Sequence, residues 1–299
     1  MERELIFASK KEYRKHLIIK ILQKSVTYIF LTIMAIIMLF PFYWMIVTSL
    51  KNTEVWEHEK LYNIFKIIPS LNDISLENYK LVLFNEDVNF VRYFGNTIFV
   101  AVCTTAIMII TTILASFAFA RLNFKGKNVI FALLLSTMMI PGEMMIMVNY
   151  QTVGTLNWTN TYLALIIPHA VSVFYIFYLR QTFEQIPNEL YLAAKVDGVG
   201  DFKYLRKVML PIAAPTIVTI IILSVMGSWN AYVWPQLVAN KESMRMVANG
   251  LMEAFQSEFS SQDNVKLAAS CVITAPLFIF FLCFRKYIMR GVSRSGIKG

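Results

Sequence analysis

The residues of this 299-residue chain that could do chemistry are spaced for recognition, not for bond breaking. Glu143 is the single acid inside a long apolar run. An ionised group there is expensive, so it should face protein or a water-filled path, and the preceding Pro141-Gly142 pair would open the helix backbone beside it. Asn149 is within reach as its partner, and the two are candidate pathway residues. The plainer reading puts Glu143 at a hydrated boundary. Trp229 and Asn230, with Tyr232 and Trp234, place stacking faces and an amide together. That pairing suits a sugar, whose ring faces are apolar and whose rim is hydroxyl. The plainer reading is an interfacial aromatic belt, which fits Trp234 best. His169 after Pro168 reads as an interior hydrogen-bonded histidine. Cys103, Cys271 and Cys283 lie in apolar runs without metal or redox spacing. There is no phosphate-binding G-x-x-x-x-G-K-[ST] loop, no H-E-x-x-H and no G-x-S-x-G. No catalytic residue, metal or cofactor is expected.

The element with the clearest pattern is polar. Gln181 to Pro211 reads QTFEQIPNELYLAAKVDGVGDFKYLRKVMLP, between two long apolar runs. Pro187 and Asn188 mark a helix start, with the Asn side chain able to accept from a free amide of the first turn. Leu190, Ala193, Ala194 and Asp197 then share one face at helical spacing, kept shallow by the alanines. Gly198 supplies the break. Asp201 can cap a second short helix through Phe202, Leu205 and Val208, which Pro211 ends. Two short angled helices suit the docking of a soluble partner; an amphipathic connector is the other reading.

The positioning framework is apolar. The chain is 57% hydrophobic and 16% charged. Six runs approach the length needed to cross a bilayer, about 20 residues: Val26 to Val47, Asn96 to Ala120, Asn128 to Val148, Tyr162 to Leu179, Ile212 to Val238 and Leu267 to Phe284. The first reads as a retained span, because no small-residue cleavage site follows it. Charge alternates between the connections. Residues 1–24 carry seven Lys/Arg and three acids, 51–95 five and seven, 121–127 three and none, 149–161 no charge, 180–211 five and four, 239–266 three and four, and the tail from Arg285 five and none. The positive-inside rule then puts both termini and the 181–211 loop in the cytoplasm. The net charge of +9 is explained by topology, with anionic lipid and not nucleic acid as its neighbour. The expected organisation is a cytoplasmic tail over 1–25 and one membrane domain over 26–299, with external segments 51–95 and 239–266 and a cytoplasmic tail from 285. A short amphipathic helix is expected between Met246 and Phe259.

The spacing in the polar loop resembles a known family. Ala193-Ala194, three residues, Gly198, nine residues, Val208, one residue and Leu210-Pro211 resemble the coupling-loop signature of ABC importer permeases, EAA-x3-G-x9-I-x-LP. The signature glutamate falls on Leu192; Glu189 is a different position. LENYKLVLF with Asn96-Thr97, MMIPGEMMIM with LNWTNTY and LIIP, Ser228-Trp229-Asn230 and the terminal GVSRSGIKG resemble the carbohydrate-type, MalG-like permeases of the maltose-transporter kind. The resemblance covers most of residues 70–299.

That resemblance implies an all-α polytopic membrane protein with six transmembrane helices, the MetI-like fold and the type I ABC importer architecture. It implies that Glu189, Leu192, Ala193, Ala194, Asp197, Gly198, Leu210 and Pro211 couple to an ATPase, with Gly296, Lys298 and Gly299 of the tail touching it. The implied partners are a second homologous permease in a heterodimer, two ATP-binding subunits and an extracytoplasmic sugar-binding protein, with transport by alternating access. An ion-coupled secondary carrier of a small solute is the alternative, and a non-transporting scaffold a third; neither needs such a loop.

Overall fold

The computed structural model describes residues 10–62, 74–85 and 88–293; Gly296, Lys298 and Gly299 lie outside the described residues. The described chain is helical, and its one extended pairing is the isolated bridge of Lys51 with Ile74. Four helices are long and apolar enough to cross a membrane, and six spans result if each of two bent helix pairs is one span. By internal contact the chain divides into two units: Met1–Asn78 with Asn264–Cys271, and Tyr79–Asp263 with Val272–Gly299.

The first unit contains α1 (Lys10–Ser49), α2 (Thr53–Tyr62) and the start of α14 (Asp263–Ser293). Helix α1 begins at Lys10, well before Val26, so the described part of the expected 1–25 tail is helix. Its residues 13–43 are all exposed, as expected of an apolar helix whose solvent is lipid or another apolar helix. A polar hub closes the unit. Buried Lys51 pairs with Glu59 at 2.6 Å and lies between the Trp44 and Trp56 rings. Asn78 donates to the carbonyls of Ser49 and Lys51, and Asn264 donates to Lys51 O, Thr53 Oγ1 and Asn78 Oδ1. A buried ammonium persists only when paired and surrounded by such groups.

The second unit is built on α4 (Phe90–Arg121), with α3 (Glu77–Phe84) leading towards it. The third apolar run does not form one straight span. It divides into α5 (Lys127–Thr137) and α6 (Gly142–Thr155), bent by 95°. Pro141 lacks an N–H and fixes its own φ, so the helix restarts at Gly142. The fourth run divides at Pro168 into α7 (Tyr162–Ile166), a short 3₁₀ turn and α8 (Val173–Glu184), bent by 41°. Ser172 caps α8, accepting from Tyr175 N. The fifth run also breaks: α11 (Leu210–Trp229) ends at Asn230, and α12 (Val233–Val238) follows.

The expected amphipathic helix is α13 (Val247–Gln256). Thr97 Oγ1 accepts from Val247 N and Asn249 Oδ1 from Met246 N, so α13 is capped by α4 and by itself. Asn96 donates to the carbonyls of Ser243 and Arg245 and accepts from Tyr162 OH. The Asn96-Thr97 pair is thus the joint between α4 and the 239–266 segment. Gly250 permits that joint, because a β-carbon there would overlap the buried Tyr93 ring.

Candidate functional site

The 181–211 stretch forms two helical pieces joined by a defined turn. Helix α9 (Asn188–Val196) starts from Pro187, and the Asn188 side chain makes no cap, contrary to expectation, because Pro187 already occupies the cap position. At its end, Gly198 N donates to Lys195 O and Val199 N to Ala194 O, with Gly198 at φ +71°. This is the Schellman arrangement, which needs a left-handed residue at that point. Asp201 opens α10 (Asp201–Tyr204) without capping it. Its carboxylate instead accepts from Tyr191 OH at 2.7 Å and pairs with Lys195 Nζ at 2.6 Å, tying the second helix back to the first.

Two further expectations need correction. Pro211 does not stop the second helix. A π turn over Leu205–Met209 joins α10 to α11, with Leu210 N donating to Leu205 O. The wider turn relieves the carbonyl that a proline ring would otherwise strike, so the helix continues to Trp229. The outer face of α9 is also different. Ala194 turns inward and packs with Tyr191 and Val199 on the buried cluster of Leu179, Phe183, Ile186, Tyr204, Leu205 and Met209. The face left open is Glu189, Leu192, Ala193, Val196 and Asp197, with Val196 87% and Phe202 70% exposed. Leu210 is half-buried and Pro211 exposed.

Arg121 holds this element to the spans. It is buried at the end of α4, and its Nη2 donates to Phe183 O at 2.8 Å and Ile186 O at 2.5 Å. Those carbonyls close α8, where a helix lacks internal donors and carries partial negative charge. The sequence reading missed Arg121, Tyr191, Lys195 and Asp201's true role. A basic residue ending an apolar run was the one local signal.

Lys195 has its pKa raised above the ordinary lysine value, chiefly by its hydrogen bond to Asp201. Its contribution is therefore present below the unfolded-state pKa and fades as pH rises through the folded one. Asp201→Ala removes both ties; on the ATPase-coupling role that the family resemblance implies for this loop, the expected result is a few-fold loss of coupling between ATP hydrolysis and transport with normal membrane insertion. Comparing turnover with the amount of assembled complex checks it; unchanged coupling would make the Asp201 ties incidental.

A cleft of about 400 Å³ opens among α4, α8, α11 and α12. Its polar lining is Thr104, His169, Ser172, Tyr175, Ser224 and Ser228, with Trp234 forming part of the wall. No Asp, Glu, Lys or Arg lines it. Trp234 Nε1 donates to Ala164 O, and the indole meets the His169 ring edge-on. None of Glu143, Asn149, Trp229 and Asn230 lines this cleft. Glu143 is exposed in the first turn of α6 and Asn149 half-exposed on the same helix. Trp229 packs on Phe94 and lines a separate apolar groove. Asn230 donates to Met226 O at the end of α11. Their chain neighbours Gly227, Ser228 and Ala231 do reach the cleft. Hydroxyls recurring along the second apolar run were the signal for Thr104.

These features define a helical membrane protein with a polar two-helix element packed on its spans. The family described as "Binding-protein-dependent transport system inner membrane component" matches residues 108–294, and the chain belongs to it. The "Trehalose/maltose transport system permease protein MalG" of Thermococcus litoralis is 30% identical over 284 residues, covering 94% of this chain and 99% of that protein. The "Arabinooligosaccharides transport system permease protein AraQ" of Halalkalibacterium halodurans is 29% identical over 265 residues, 89% and 93% of the two chains. The fold matches a chain of the crystal structure of "a bacterial ABC transporter involved in the import of the acidic polysaccharide alginate", with TM-score 0.78, 23% identity and coverage of 94% and 99%. The chain is therefore an inner-membrane permease component of an ABC importer and not itself an enzyme.

Proposed function

We propose that this permease carries a neutral sugar or oligosaccharide and is driven by a separate ATPase docked on residues 188–209. One observation carries the reading: the exposed Leu192–Val196 face is built on the cluster that includes α4, α8 and α11, the helices that line the cleft. Movement of the docking helices then passes to the cleft walls through packed side chains and Arg121, as a lever would. The cleft's hydroxyl lining, free of carboxylates and basic side chains, fits an uncharged polyol better than an ion-coupled substrate. The names of the sugar-transporting relatives favour the same class.

In this reading a second homologous permease completes the path, two ATP-binding subunits power it, and an extracytoplasmic binding protein delivers the sugar. Both termini and 181–211 face the cytoplasm, on the alternation of basic connections. The tail residues Gly296, Lys298 and Gly299 add to the ATPase contact. Glu143 and Asn149 stay candidates for a wider path on α6, as do Trp229 and Asn230 at the end of α11.

The test is to fill the cleft. Ser228→Trp should cut sugar uptake at least tenfold while the complex still assembles and its basal ATP hydrolysis persists. Normal uptake by an assembled Ser228→Trp complex would place the path elsewhere.

A further inference from the structure

The end of α4, the start of α5 and the last turns of α8 enclose a second, open cleft of about 630 Å³, lined in part by Asn123, Phe124, Lys127, Asn128, Arg180 and Glu184. Its charge is unbalanced. Lys127 and Arg180 line it, and Glu184 is the one carboxylate in its lining. Glu184 is already engaged, holding Arg180 at 2.6 Å. Lys127 is thus the cation of the lining that Glu184 leaves without an ion pair. Lys127 makes a single hydrogen bond among the described residues, to Leu122 O at 3.1 Å, although an ammonium carries three donors.

The cleft is also amphiphilic. Arg180 lies over the Phe131 ring with its guanidinium carbon 4.0 Å from the centroid. Helix α5 leaves the cleft with Val129 and Leu133, one turn apart, 64% and 62% exposed. The site lies at the end of the 32-residue α4, which, with α4 as a span, belongs near a membrane surface. A small inorganic anion would meet the cations and leave the apolar strip bare. A phospholipid satisfies both.

We infer that this cleft binds the phosphodiester headgroup of an anionic phospholipid, with an acyl chain laid along Val129 and Leu133. Lys127 contacts the phosphate directly, and Arg180, paired to Glu184 and seated on Phe131, borders the headgroup. Because Arg121 holds the end of α8, just before Pro187, and Arg180 ties α8 to Phe119 O of α4, the bound lipid braces the base of the docking element. The site rests on the chain's place in a membrane and not on which solute it carries.

The test uses the full chain in its assembled complex, in nanodiscs of mixed phosphatidylcholine and phosphatidylglycerol, released into native mass spectrometry. Phosphatidylglycerol should be retained in preference to phosphatidylcholine. Lys127→Gln should weaken its retention about fivefold, equivalent to about 1 kcal/mol. Asn128→Asp, which adds a negative charge without removing a contact, should weaken it at least as much. Lys80→Gln, which removes an exposed cation on α3, should change nothing. Millimolar inorganic phosphate should leave the lipid in place. Equal retention of the two lipids, equal effects of Lys127→Gln and Lys80→Gln, or displacement by phosphate would each overturn the lipid site. Sugar-stimulated ATP hydrolysis in pure phosphatidylcholine nanodiscs reads the permease function separately.

Discussion

Gly198→Asp should insert, fold its spans and fail to couple. Gly198 sits at φ +71° with open space where a β-carbon would point, so the penalty is conformational and not a clash. Forcing an L-residue into that left-handed turn costs about 1–2 kcal/mol, somewhat less for aspartate than for a branched side chain. The new carboxylate also sits beside Asp197, on the exposed face that the proposed docking would cover. A combined loss of about 2–3 kcal/mol would weaken docking roughly 30- to 150-fold. Co-purification of the ATPase and sugar-stimulated ATP hydrolysis should fall together. Gly198→Ala, which keeps the strain and omits the charge, should show a smaller part of the loss. Full ATPase binding by Gly198→Asp would reduce 181–211 to a connector.

Arg121→Ala should have the largest effect on the integrity of the chain. The change removes charge-assisted bonds to two carbonyls, worth about 1.5–3 kcal/mol each; Phe183 O keeps its bond from Ile186 N, and Ile186 O loses its guanidinium donor. The joint between α4 and α8 loosens, and with it the base of the docking element. The expected outcome is a complex that assembles in reduced amount and unfolds at lower temperature in detergent. Arg121→Lys should restore only part of the stability, since a point ammonium cannot reproduce the planar guanidinium fork. Thermal unfolding of the three forms, followed by tryptophan fluorescence, measures this. Equal midpoints would show that Arg121 carries no such load.

Much of this architecture was legible in the sequence because it is local. The apolar runs, the break at Pro141-Gly142, the turn at Gly198 and the amphipathic α13 all follow from residue type and spacing within a dozen positions. The bends at Pro168 and Asn230 were less visible, because apolar composition continues through them while the helix does not. Pro211 misled for a physical reason: a proline is an end signal in an ordinary helix, but a π turn just before it removes the conflict. The open face of α9 was placed about a quarter-turn off. Leu192 and Val196 belong to it and Ala194 does not, because the buried cluster takes up Tyr191 and Ala194. Arg121 with Ile186, 65 positions apart, leaves no local period to read. The cleft hydroxyls were hidden for the same reason: Thr104, Tyr175 and Ser228 come from three helices, and each looks incidental within its own.

The position that falls on the family's signature glutamate shows how the corrected face changes the functional reading. Leu192 is 55% exposed at the centre of the open face, with Val196 one turn on. An apolar contact with the ATPase is therefore expected there in place of a carboxylate contact. The carboxylate of Glu189, one turn earlier, flanks it.

The central claim is that a separate ATPase docks on this element, and site-directed cross-linking tests it most directly. Val196→Cys, in a chain with Cys103, Cys271 and Cys283 replaced by serine or alanine, places a thiol at the most exposed large apolar residue of α9. Met139→Cys, equally exposed at the break between α5 and α6, serves as the control. In membranes containing the assembled importer, a short bifunctional reagent should join Val196→Cys to the ATP-binding subunit, with a yield that changes when nucleotide is added, and should not join Met139→Cys to it. Cross-linking of Met139→Cys to that subunit, or none from Val196→Cys in a complex that still hydrolyses ATP in response to sugar, would contradict the claim.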